Sequence, residues 1–244
     1  MTQLHDVVYV LCSRSSTVLR FDATTHHRLT NIDISGLMSP HDIVACSQTS
    51  RLYVADWECV WRVSSDGGDI RRWLPNIPSC PVKPWTLSVT SARLLVTSSD
   101  LRQLIQFDAG GTELRRIQLP CDVIPRHAVE SPSGTFLLGL SNMELERDQV
   151  CELGTDGEVL RRFGSPSFRC PDHIDIDFRG NVFVADSQNC RILLLNAGLM
   201  LRRVIIDASN MNCRALRGLC YLEQTGRLLV ALDNSIAVFD LLSR

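Results

Sequence analysis

Three histidines each follow a proline by one or two residues, in "PHDI" (His41), "PRHA" (His127) and "PDHI" (His173). Three imidazoles that converge can hold a zinc ion and leave a fourth position for water, as a catalytic zinc site requires. Register decides whether they converge, because a one-residue step on a strand turns a side chain to the opposite face. A second set of residues suits binding rather than bond-breaking. Trp57 lies in the turn "DWE" and Trp85 follows Pro84, while Lys83, Arg126, Arg169 and Arg217 stand at comparable places along the chain. Exposed tryptophan beside arginine is the composition of an interface hot spot; a tryptophan wedged between packed elements is simply core. The sequence has no nucleophile elbow, phosphate loop or paired-histidine zincin motif.

The elements that position these residues are repeated. The arginine doublets of "IRRW", "LRRI", "LRRF" and "LRRV" begin at Arg71, Arg115, Arg161 and Arg202, in steps of 44, 46 and 41 residues. A period of that length marks an array or a propeller. Residues 171–204 read "PDHIDIDFRGNVFVADSQNCRILLLNAGLMLRRV", four short β-prone runs bounded by Gly, Asn, Asp or Ser. Residues 40–73, 84–117 and 125–163 repeat the unit, the last with a longer second turn, "SNMELERDQ", that carries Met143 and Leu145. Partial copies flank these four, the first starting at its second strand and the last ending at its third. Runs such as "LYVA" and "LLVT" are too continuous for a sheet wetted on one face, so each meander must be covered on both sides by its neighbours. The expected fold is all-β, a six-bladed β-propeller of four-stranded antiparallel blades with incomplete first and last blades, forming a single domain over 1–244.

The copies at 171–198 and 40–68 resemble the NHL repeat, with its Pro-x-x-Ile-x-Val-Asp, Gly-Asn-Ile-Tyr-Val-Ala-Asp and Asn-x-Arg-Ile segments. The resemblance implies a propeller of the kind found in tripartite-motif NHL proteins, which bind proteins or RNA. It also implies that Asp56 and Asp186 of the "Ala-Asp" segments pair structurally, Arg191 being the type of partner. The NHL-like peptidyl-hydroxyglycine amidating lyases carry zinc-binding histidines in Pro-His-x-apolar starts. Only His41 matches that position, which the other copies fill with Trp85, Arg126, Asp172 and Arg217. His127 and His173 fall one residue later, so His41 should point away from both. No metal, cofactor or catalytic residue is therefore assigned.

Composition narrows the setting. A formal net charge of −2 excludes a globally basic nucleic-acid binder. The apolar runs are too short to span a membrane, and "MTQLHDVVYVLC" is unlike a secretory signal. Ten cysteines without a Cys-x-x-Cys pair suit buried thiols in a reducing, cytoplasmic compartment. The loops preceding first strands share one face with those joining second to third strands. Cations (Lys83, Arg126, Arg169, Arg214, Arg217) fall in the former, and acids including Asp56, Glu58, Asp100, Asp148, Asp186 and Asp233 in the latter. Such a face would focus an anionic group. The expected function is a non-catalytic platform for a protein or peptide, using Trp57, Trp85, Arg126, Arg217, Lys83, His41 and Arg169. RNA binding is the alternative, and a metal-dependent lyase or hydrolase a further one. The oligomeric state is left open.

Overall fold

Alternation along a strand sends neighbouring side chains to opposite faces, and here both faces are buried. The computed structural model describes residues 1–12, 15–74, 83–142, 147–164, 168–207, 216–233 and 235–241. The described strands form six antiparallel meanders, each in simple chain order. The first blade holds β1 (Thr2–Leu4), β2 (Val7–Leu11), β3 (Thr17–Asp22) and β4 (Ile32–Asp33); the second holds β5 (Asp42–Cys46), β6 (Arg51–Ala55), β7 (Val60–Ser64) and β8 (Ile70–Leu74). The third comprises β9 (Thr86–Thr90), β10 (Arg93–Ser98), β11 (Gln103–Phe107) and β12 (Glu113–Gln118). The fourth comprises β13 (Val123–Glu130), β14 (Phe136–Asn142), β15 (Arg147–Leu153) and β16 (Val159–Phe163). The fifth has β17 (Pro171–Ile176), β18 (Val182–Asp186), β19 (Arg191–Leu195) and β20 (Leu201–Ile206), and the sixth β21 (Gly218–Leu222), β22 (Arg227–Ala231) and β23 (Ile236–Asp240). No described residue is in an α-helix, and no helix is long and apolar enough to cross a membrane.

The chain divides into two compact units, Met1–Ile117 and Gln118–Arg244, with the boundary at the end of β12. In the first unit, Leu52 and Val54 of β6 pack with Tyr9, Val18 and Ile32 of the first blade. Tyr53 and Ala55 of the same strand pack with Leu87, Leu94 and Val96 of the third. In the second unit, Val182 and Val184 of β18 meet Val129, Leu137 and Val150, while Phe183 and Ala185 meet Leu219, Leu228 and Val230. A strand buried on both faces needs an unbroken apolar sequence, which accounts for "LYVA" and "VFVA". This sheet-on-sheet packing gives the blades of an all-β, six-bladed propeller.

The incomplete first blade is corrected by the structure. Thr2–Leu4 pairs with Val7–Tyr9 as a short first strand, so that blade has four strands. Three residues before the tight turn at His5 and Asp6 carry too little pattern to read as a strand. The last blade has three strands among the described residues. All four arginine doublets lie on fourth strands, β8, β12, β16 and β20, and three of the four are exposed at both residues. Some also brace the rim: Arg72 lies over the Trp61 ring at 5.3 Å, and Arg161 pairs with Glu152 at 3.1 Å and donates to the Ala197 carbonyl.

A first strand has only one strand neighbour in its own sheet, leaving alternate backbone N–H groups without a ladder partner. Side chains of the preceding blade accept from them. The Thr2 hydroxyl accepts from Ala45 N–H (3.2 Å), and Asp42 from Leu87 N–H (2.8 Å). In the second unit, His127 Nδ1 accepts from Ile174 N–H (3.4 Å) and Asp175 from Tyr221 N–H (2.7 Å). The partners are 43, 45, 47 and 46 residues apart, the length of the repeat. In each case the donor stands one residue beyond the acceptor's own counterpart in the next blade.

Desolvation pushes the Asp175 carboxyl up to about 6, against the lowering effect of the Tyr221 and Ile176 N–H groups; Glu223 adds to the rise. A carboxyl raised in the folded state binds its proton more tightly there than in the unfolded chain. Stability is therefore lost as pH rises from about 4 to 6. Asp175→Asn removes that charge, so its stability relative to the parent should improve by about 2–3 kcal/mol between pH 4 and pH 7. Urea denaturation at both pH values checks this, and a pH-independent difference would count against it.

Candidate functional site

The first unit brings His41, Trp57 and Trp85 together. His41 precedes β5, Trp57 follows β6, and Trp85 precedes β9 on the next blade. The His41 ring lies 4.4 Å from the Trp85 ring and 6.2 Å from Trp57, measured between centroids. Backbone hydrogen bonds fix how the chain enters β5 and β9, since His41 N–H donates to Ala55 O and Trp85 N–H to Thr97 O (2.9 and 2.8 Å). Trp57 is 54% exposed and Trp85 39%, whereas Trp61 is buried. Desolvation pushes the His41 imidazole down, and the carboxylates of Asp56, Asp42 and Asp100 oppose this only in part.

Asp56, the acid of the "Ala-Asp" segment, holds the cluster in place. Its carboxylate accepts from the N–H groups of Ser39 (2.7 Å), Trp57 (2.9 Å) and Met38 (3.2 Å) and from the Trp61 indole (3.2 Å). The loop before His41 and the turn bearing Trp57 therefore hang on one buried side chain. Burial alone would raise this carboxyl; the four donors outweigh burial and hold it below its usual range. Asp186 plays the same part in the fifth blade, accepting from Arg169 N–H (2.7 Å), Asn189 and Arg191 (2.6 Å). The Arg191 pairing expected of the motif is present, and in the second blade the Trp61 indole takes that role.

In the second unit Arg217 precedes β21 as His41 precedes β5, Arg126 lies within β13, and Arg169 lies in the loop before β17. Arg126 and Asp172 sit in β-bulges, between Pro125 and His127 and between Pro171 and His173. The extra residue places His127 and His173 opposite Gly139 and Ala185, the register that Asp42 takes opposite Ala55 in the second blade. Their rings stack at 3.9 Å, and His127 is buried. Burial, with His127 alongside, holds His173 well below its ordinary value. The one-residue offset read from the sequence is thus real, and His41 packs with tryptophans instead.

Two of the cations expected at the centre pair with acids of their own blade. Lys83 reaches Asp100 at 3.4 Å, and Arg217 reaches Asp233 at 2.9 Å. Arg126 Nε donates to the Ser141 hydroxyl (3.3 Å). Asp172 is raised by desolvation, chiefly against the pull of Arg126. Arg214, Met143, Glu144, Leu145 and Glu146 lie outside the described residues. Sequence reasoning placed Trp57 and Trp85 on one face of adjacent blades and included His41 in the same set, but did not foresee the packing of its ring against both indoles. Its signal was the shared position ahead of a first strand.

No protein-family model matches the chain, and no curated protein sequence does either. Solved structures match in fold. Hydrazine synthase of Kuenenia stuttgartiensis is 15% identical with a TM-score of 0.69, covering 98% of this chain and 75% of its own. A catalytically inactive virginiamycin B lyase from Staphylococcus aureus, solved with quinupristin, is 14% identical with a TM-score of 0.69, over 98% of this chain and 78% of its own. A nidogen/laminin complex includes a chain 14% identical with a TM-score of 0.74, over 96% of this chain and 89% of its own. At these identities the likeness is one of fold.

Replacing Asp56 by Ala leaves three backbone N–H groups and an indole without their acceptor, and should cost about 3 kcal/mol of stability. Because the folded carboxyl is held low, the stability it contributes is present above the ordinary aspartate range and is lost as pH falls through the folded value. The gap between parent and Asp56→Ala in chemical denaturation should therefore narrow on acidification below about pH 4.

Proposed function

We propose that the six blades act as one non-catalytic binding domain over 1–244, whose ligand is a protein or peptide seated on Trp57, His41 and Trp85. The observation that carries this reading is the pair of exposed indoles packed around the His41 ring. Large aromatics left in water form a ready anchor, since burying them against a partner regains apolar area at little cost in side-chain freedom. Lys83, 3.4 Å from Asp100, supplies a polar contact beside these anchors; within the second unit, the exposed Arg169 and Arg217 and the part-buried Arg126 are further binding residues in this reading. A propeller found in complex with laminin gives a parallel for a protein partner. The burial of Cys46, Cys59, Cys151 and Cys190 as free thiols supports a reducing, cytoplasmic setting.

The alternatives have less behind them. RNA recognition wants aromatics among cations, but Trp57 stands between Asp56 and Glu58 in the sequence. A metal-dependent lyase or hydrolase draws support from the enzymes among the fold neighbours. The packing of His41 with two tryptophans removes one of the three histidines on which that reading began.

The test is affinity capture on the intact chain with and without nuclease, followed by titration of the captured partner. Trp85→Ala should weaken a protein partner by about 2 kcal/mol or more. Arg115→Ala and Arg161→Ala, on the rim, should leave affinity within about twofold. A nuclease-sensitive ligand, with a salt dependence flattened by charge reversal at Arg126 and Arg217, would establish RNA instead.

A further inference from the structure

The groups around the two indoles define the chemistry of what can sit there. In the first unit, Asp56 and Glu58 flank Trp57 in sequence, Asp42 follows His41, and Asp100 meets Lys83 near Trp85. Four carboxylates thus stand against two cations, Lys83 and the Arg72 guanidinium over the Trp61 ring. Asp42, Asp56 and Asp100 all act on the His41 ring, so their field reaches the cluster. The Asp56 carboxylate is occupied by four donors and contributes field rather than a new bond. Glu58 is exposed, and Asp100, 58% exposed, is held by a long 3.4 Å contact.

Such surroundings repel an anion and favour a cation, and the faces of indole rings attract one through their quadrupole. Among cations, a guanidinium fits best. It is planar and weakly hydrated, so it can stack on an indole while its N–H edge reaches a carboxylate; an ammonium is a compact, strongly hydrated point charge. The chain already uses this pairing, with the Arg72 guanidinium 5.3 Å from the centre of the Trp61 ring. Resting on the platform reading above, we propose that the Trp57–His41–Trp85 cluster is a receptor for an arginine side chain presented by a peptide segment of the partner. Glu58 and Asp100 accept from its guanidinium, and Lys83 gives way at Asp100.

Five peptides, acetyl-Gly-Ser-X-Ser-Gly-amide with X as arginine, lysine, citrulline, glutamate or norleucine, test the assignment by titration into the intact chain with tryptophan fluorescence as readout. Citrulline keeps the shape of arginine and loses its charge. The arginine peptide should bind at least about tenfold more tightly than the citrulline and glutamate peptides. Trp57→Ala or Trp85→Ala should each lower that affinity by about tenfold, and Glu58→Gln by about threefold, while Trp85→Phe retains most of it. Each substitution is at an exposed side chain, and unchanged denaturation midpoints would show that the fold is kept. Equal binding of arginine, citrulline and norleucine peptides, or arginine binding indifferent to both tryptophan variants, overturns the proposal. Norleucine binding that is lost in Trp85→Ala would overturn the arginine assignment alone and leave the platform. If none of the five binds, the arginine receptor is likewise overturned, and the partner titration decides the platform separately.

Discussion

A strand at the end of a meander has hydrogen-bonding groups that its own sheet cannot satisfy, and burying them without partners would cost about 1–3 kcal/mol each. The first strands of these blades face that problem repeatedly. The answer is a side-chain acceptor from the preceding blade, set one residue behind the donor's register, as with Asp42 to Leu87 and Asp175 to Tyr221. Apolar packing between sheets is strong but tolerates sliding, whereas a hydrogen bond between a named side chain and a named N–H does not. The stitch therefore sets the register in which one blade lies on the next. It also explains why polar residues occur in otherwise apolar first strands.

The candidate site depends on that register. Trp85 belongs to the third blade and His41 and Trp57 to the second, so a one-residue slip between the blades would part the rings. Asp42 fixes the blade-to-blade register at the residue beside His41, and Asp56 fixes the loops within the second blade. Two neighbouring aspartates thus do different work, and both carry negative charge to a place where exposed aromatics gather.

Much of the fold was legible because it rests on periodicity. The doublets recur at the repeat length and lie on fourth strands, and the unbroken "LYVA" and "VFVA" runs are strands buried on both faces. The "Ala-Asp" acids are indeed internal pairing groups, most clearly at Asp186 with Arg191. What escaped was short or three-dimensional. Thr2–Leu4 is too brief for alternation to show, and its pairing depends on the strand that follows. The ion pairs Lys83–Asp100 and Arg217–Asp233 join residues that a sequence places in separate inner and outer loops. The stitch from Ile174 N–H to His127 Nδ1 joins residues of different blades.

The asymmetry of that stitch bears on how such a chain can diverge. The donor is a backbone N–H, which any residue except proline supplies. Only the acceptor must be specified, and threonine, aspartate and histidine all serve. A duplicated blade would thus arrive with its half of the joint ready, and drift in its sequence would erase the outward likeness between copies long before it loosened them from one another.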